Sequence, residues 1–177
     1  HVTINHNNIT INGNGHSISG FNKVGMIYNS EKDGLTLNNI TFIEGKADDG
    51  GAIFASPTSS LSIDSCRFEN NTAKNGGAIY LKYFKSIIME SSFFKNNSAT
   101  ATGGAIYYYG DYGNKELFNI TGTFINNLAG VDGGAIYEHD IANYRLKGNF
   151  TNNTATENGG AMYEGITSNS NFINNHA

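Results

Sequence analysis

The sequence predicts an all-β parallel β-helix, a solenoid of about seven coils, and two linked repeats and one periodicity carry the prediction. The block Gly50-Gly51-Ala52-Ile53 recurs as Gly76-Gly77-Ala78-Ile79, Gly103-Gly104-Ala105-Ile106, Gly133-Gly134-Ala135-Ile136 and Gly159-Gly160-Ala161-Met162, in steps of 26, 27, 30 and 26 residues. A second block precedes the later copies, as Phe68-Glu69-Asn70-Asn71-Thr72-Ala73 and the blocks led by Phe94, Phe124 and Phe150, and recurs after the last copy at Phe172, each with an Asn pair two residues on. Between the blocks lie short alternating runs such as Leu35-Thr36-Leu37 and Leu61-Ser62-Ile63, which have the period of a half-buried strand. One such repeat cannot bury a face alone, so successive turns of chain must stack on one another.

The elements follow in order along the chain. Residues 1–41 form an N-terminal coil region, with strand-forming residues at Ile9-Thr10-Ile11 and Ile18. Residues 42–177 carry the repeats, and the first copy is degenerate: Phe42-Ile43-Glu44-Gly45-Lys46-Ala47 keeps the Phe and Ala but lacks the Asn pair. In each coil the Asn pair marks a bend, because Asn tolerates left-handed backbone and its amide can donate to one coil while accepting from the other. Gly-Gly marks a second bend, where a positive φ or a close backbone approach is needed. Coils stacked about 4.8 Å apart turn the repeated Phe, Ala and Ile into internal columns and give a rod roughly 30 to 35 Å long. The last coil stops at Ala177 with no capping element, from which we expect a single β-helix unit belonging to a longer protein.

Composition accords with this reading and excludes several functions. The 177 residues include 27 Asn and 22 Gly, with only 15% charged. A net charge of -4 provides no basic footprint, so nucleic acid is not an expected partner. The lone Cys66 rules out an intrachain disulfide and is expected to be a small buried thiol. The chain has no long apolar stretch, so no membrane contact by this part is expected.

The paired Gly-Gly-Ala-Ile and Phe-x-x-Asn motifs resemble those of the chlamydial polymorphic outer-membrane proteins, and the Asn/Thr/Tyr-rich wording resembles adhesin-like surface proteins of methanogenic archaea. The resemblance implies a right-handed β-helix displayed outside the cell, anchored through regions absent from this chain, and used for attachment to a cell-surface glycan or protein of another cell. It implies neither enzymatic activity nor a cofactor, and no metal ligands are expected.

Binding candidates come from the aromatic residues. The position after each Gly-Gly-Ala-Ile holds Phe54, Tyr80, Tyr107, Tyr137 and Tyr163. If Ile53 and its equivalents point inward, this column points outward, as a stripe able to stack on sugar rings or apolar surface. The alternative is that the column merely covers its sheet by stacking from coil to coil. The 30-residue step predicts a protrusion after Tyr107 carrying Tyr108, Tyr109 and Tyr112, and Tyr on a Gly- and Asn-rich loop suits adaptable binding. Seven Asn-x-Ser/Thr sequons occur. Asn8, Asn39, Asn119 and Asn149 are the glycosylation candidates, because Asn70, Asn96 and Asn152 fall in the Asn ladder. A spacer role and polysaccharide cleavage are the competing functions. The second would rest on Asp48-Asp49 and Arg145-Leu146-Lys147, which read more simply as bend residues and as outward residues flanking an inward Leu. His16 and His139 read as turn or solvated residues.

Overall fold

The computed structural model describes residues 1–177 except 58–59, 85, 111–116, 140–142, 166 and 168. Its described elements are all strands and turns, wound into six full turns of parallel solenoid and a partial seventh. One face is a 7-stranded parallel sheet of Val2–Ile4, Ile27–Ser30, Ile53–Ser56, Ile79–Lys82, Ile106–Tyr109, Ile136–His139 and Met162–Tyr163. Its register places Ile27, Ile53, Ile79, Ile106, Ile136 and Met162 one above another. The repeated Ile therefore forms one internal column.

A second, 10-stranded sheet starts with Thr10–Asn12, Leu35–Asn38 and Ser60–Asp64 and lengthens into Ser86–Lys95, Leu117–Ile125 and Asn143–Thr151, ending at Asn171–Ile173. In the early coils it turns a corner to the separate strands Ser17–Ser19, Thr41–Ile43 and Arg67–Glu69. The later long strands run through that corner. A short third sheet joins Thr72–Ala73, Ser98–Ala99 and Leu128–Ala129.

The core is a set of columns. Phe42, Phe68, Phe94, Phe124 and Phe150 are fully buried and stack with ring centroids 4.7–5.1 Å apart. Each such ring contributes about 1.5–3 kcal/mol by burial, with more from ring contact. Cys66 is buried as expected, and burial raises its thiol pKa.

The two bends divide their labour in a way the sequence left open. At the Asn pair, Asn70, Asn96, Asn126, Asn152 and Asn174 take the positive φ (51° to 57°) and stay exposed. Their neighbours Asn71, Asn97, Asn127 and Asn153 turn inward and are buried. The Nδ2 of Asn97 donates to Asn127 Oδ1 at 3.0 Å and to the Phe68 carbonyl at 2.9 Å. Its Oδ1 accepts from the Asn71 backbone N–H and from Asn71 Nδ2. Four hydrogen bonds satisfy the whole amide, which removes the penalty of burying it. The ladder starts where Gly45, in the degenerate coil, donates its N–H to Asn71 Oδ1 at 2.8 Å. At the Gly-Gly bend the first glycine has positive φ, 67° at Gly103 for example. The second approaches the next coil so closely that a Cβ on Gly104 would overlap the Gly134 carbonyl oxygen.

Candidate functional site

Strand alternation on the first face sends Ile53 and its equivalents inward and the following aromatics outward, as the repeat predicts. Tyr28, Phe54, Tyr80, Tyr107, Tyr137 and Tyr163 form one continuous stack, with centroids 4.9–5.2 Å apart and ring planes within 6° of parallel. Each ring face in the middle of the stack is covered by another ring, and Tyr80 is only 8% exposed. A stripe of open faces ready for sugar rings is therefore not what the strand pairing produces. In-register neighbours about 4.8 Å apart meet at stacking distance, and the rings satisfy one another. Edges and phenol groups are what remain at the surface. Burial pushes the Tyr80 phenol up to about 12, with the nearby Asp49 carboxylate and Tyr83 adding to it. Tyr107 and Tyr137 are raised for the same first reason, helped by neighbouring phenols.

The expectation for Tyr108 needs correcting. It lies in the strand Ile106–Tyr109, points inward, is 1% exposed and meets the Phe118 ring edge-on at 5.0 Å. The strand simply continues two residues past Tyr107, so the same alternation that puts Tyr107 outside puts Tyr108 inside. Tyr109 faces outward again. Tyr112 lies outside the described residues.

Around Tyr109 the rings leave the parallel stack. Tyr83 meets Tyr109 edge-on at 5.7 Å and 86°, while His139 tilts over Tyr109 at 5.2 Å. The Lys82 ammonium sits 5.0 Å from the Tyr83 ring centre and 5.8 Å from that of Tyr109. His139 Nδ1 lies 3.2 Å from Glu164 Oε2, one coil further on. Tyr83, 44% exposed, is the member of this group that the repeat did not reveal, because it lies just beyond the repeated block at a residue of positive φ. In register it is Lys82 that pairs with Tyr109, so counting from the repeated block does not mark Tyr83 as a neighbour of Tyr109.

The remaining candidates separate in space. Asp48 is exposed and Asp49 accepts from Asn75 Nδ2 at 2.9 Å, as a bend residue does. Arg145 and Lys147 flank the buried Leu146 as exposed residues on the other sheet, four coils along the axis from the Asp pair. His16 Nδ1 contacts the Gly13 carbonyl oxygen at 2.9 Å. Among the described residues no group of three or more His, Cys, Asp or Glu is placed to hold a metal ion, and no helix is long and apolar enough to cross a membrane. Of the sequons, Asn8, Asn39 and Asn149 are exposed and Asn119 is half-buried. Asn70, Asn96 and Asn152, set aside as ladder residues, are exposed, because the inward amide of each pair belongs to the second Asn.

Neither the curated proteins nor the solved structures yield a significant match. Residues 65–82, 91–109 and 121–137 match the model of the Chlamydia polymorphic membrane protein repeat. Each matched segment runs from the second-sheet corner, through the Phe and the Asn pair, to the strand after Gly-Gly-Ala-Ile. The chain is therefore a parallel β-solenoid, three segments of which are similar to the Chlamydia polymorphic membrane protein repeat.

Proposed function

We propose that this chain is a non-enzymatic, adhesin-like solenoid at the cell surface that attaches to a glycan or protein of another cell. Repeats of the polymorphic membrane protein type imply a surface or outer-membrane location. The observation that carries the attachment reading is the group of Lys82, Tyr83, Tyr109 and His139, where the rings pack edge-on and tilted beside a cation and Tyr83 is 44% exposed. Exposed aromatic surface with a polar rim is the usual make-up of a recognition patch. Lys82, Tyr109 and His139 lie on paired strands, so their geometry is held by the scaffold.

The test is adhesion of the whole chain to cells, compared with a variant carrying Tyr83→Ser, Tyr109→Ala and Tyr112→Ala. A clear loss of binding at unchanged fold is expected; equal binding by both removes this patch from the account. A spacer role is the second reading, and the closed aromatic stack favours it. Its mark would be an absence of binding to any cell or glycan tested.

A further inference from the structure

The corner of the second sheet is built from four residues between an inward aliphatic and the Phe in most coils, but from three in two successive coils. Asn38-Asn39-Ile40-Thr41, Asp64-Ser65-Cys66-Arg67 and Glu90-Ser91-Ser92-Phe93 precede Phe42, Phe68 and Phe94. Only Thr121-Gly122-Thr123 and Lys147-Gly148-Asn149 precede Phe124 and Phe150. The missing residue is the one with positive φ, 49° at Asn39, 53° at Ser65 and 49° at Ser91, and it returns as Asn169 at 50°. The pairing register shifts between Met89 and Ser92 to absorb the loss. Two coils therefore cut the corner, and the coils on either side stand proud of them.

The result is a groove of about 430 Å³ two coils wide, with Ser91 and Ser92 at one end and Asn169 and Asn171 at the other. That volume lies within the range of small-ligand sites. Its lining is rich in hydroxyl and amide groups, including Thr121, Thr123 and Asn149, each able to meet a sugar hydroxyl as donor or acceptor. None of the lining residues is acidic, although the chain carries a net charge of -4. The two cations present are unlike. Arg67 is tied to Glu69 at 2.7 Å and lies over the Phe93 ring at 4.3 Å, so it acts as a wall. Lys147 is exposed and makes no ion pair among the described residues.

We infer that this groove binds a short acidic saccharide, with a sugar carboxylate on the Lys147 ammonium and sugar hydroxyls on Thr121, Thr123 and Asn149. An acidic peptide fits less well, because the groove has no apolar pocket for side chains and its only ring, Phe93, is covered by Arg67. The groove and the tilted rings at Tyr83 and Tyr109 lie on different sheets, so each can fail without the other.

The test titrates the whole chain with a trimer of galacturonic acid, a neutral galactose trimer and hexaglutamate, read by calorimetry at low and at moderate salt. The acidic trimer should bind about tenfold more tightly than the neutral one, and lose that advantage in Lys147→Gln, in line with one charged contact. Thr123→Trp, which fills the groove, should remove binding of both saccharides. Lys147 is exposed, so Lys147→Gln should melt with the wild type and keeps the test readable even if the Trp variant misfolds. Equal binding of the two trimers, unchanged binding in Lys147→Gln, or hexaglutamate binding as tightly as the acidic trimer would each overturn the assignment. Loss of the saccharide with cell adhesion intact would count against the groove alone.

Discussion

At the scale of the residue, identical amino acids side by side do opposite work. Asn126 is exposed with φ 54°, and Asn127 beside it is 1% exposed with its amide fully bonded. Asn127→Ala removes bonds to Asn153 Oδ1 and to the Phe94 carbonyl and strands the Asn97 donor, so we expect about 3–5 kcal/mol of lost stability in urea unfolding. Asn126→Gly should stay within about 0.5 kcal/mol, since glycine accepts the left-handed backbone without strain. The contrast between the two variants is the measurement. Gly104→Ala should be severe, beyond about 3 kcal/mol, because the added methyl collides with backbone of the next coil instead of a movable side chain. The existence of the Asn bend was legible in the repeat. Which Asn of each pair enters the core was not, because that depends on the backbone twist at the first one.

At the scale of the element, the first face is a strand stack whose outer surface is an aromatic ladder. Tyr137 touches Tyr107 and Tyr163 at 5.1 and 5.0 Å. Tyr137→Ala loses both contacts, at about 0.5–1.5 kcal/mol each beyond the buried area, whereas Tyr137→Phe keeps them. Thermal unfolding of the pair separates stacking from the hydroxyl. The raised phenols also set a pH dependence. An unfolded Tyr ionises near 10 and folded Tyr80 near 12, so the unfolded state releases its proton first. Stability from this group is complete below pH 10 and falls as pH rises from 10 towards 12. Denaturation midpoints across that window, with phenolate absorbance followed in parallel, check the sign, and a rise in stability there would refute it. The outward direction of the column was legible from strand alternation. The closed ring faces were not, because stacking is a contact between residues 26 to 30 positions apart. Tyr108 was misplaced for a related reason: the strand outruns the repeat, and nothing local marks where it stops.

At the scale of the whole molecule, each coil touches only its neighbours, so stability should be distributed as in other stacked-repeat proteins. Central coils, with Phe68, Phe94 and Phe124 fully buried between rings on both sides, should show the slowest amide exchange. In the 177-residue chain the coil that holds Phe172, which is 49% exposed, should exchange faster than these. Uniform protection along the chain would contradict this nearest-neighbour account. The sequence by itself determined the period, the parallel stacking, the Phe, Ile and Ala columns, and the two bends, because those features repeat and need only local backbone preferences. The tertiary structure decided what the surface offers: ring faces spent on one another, a tilted cluster joining Tyr83 to Tyr109 and His139, and a groove where two coils each drop a residue. Surface shape in a solenoid comes from differences between neighbouring coils, and a difference becomes a shape only once the coils are in register.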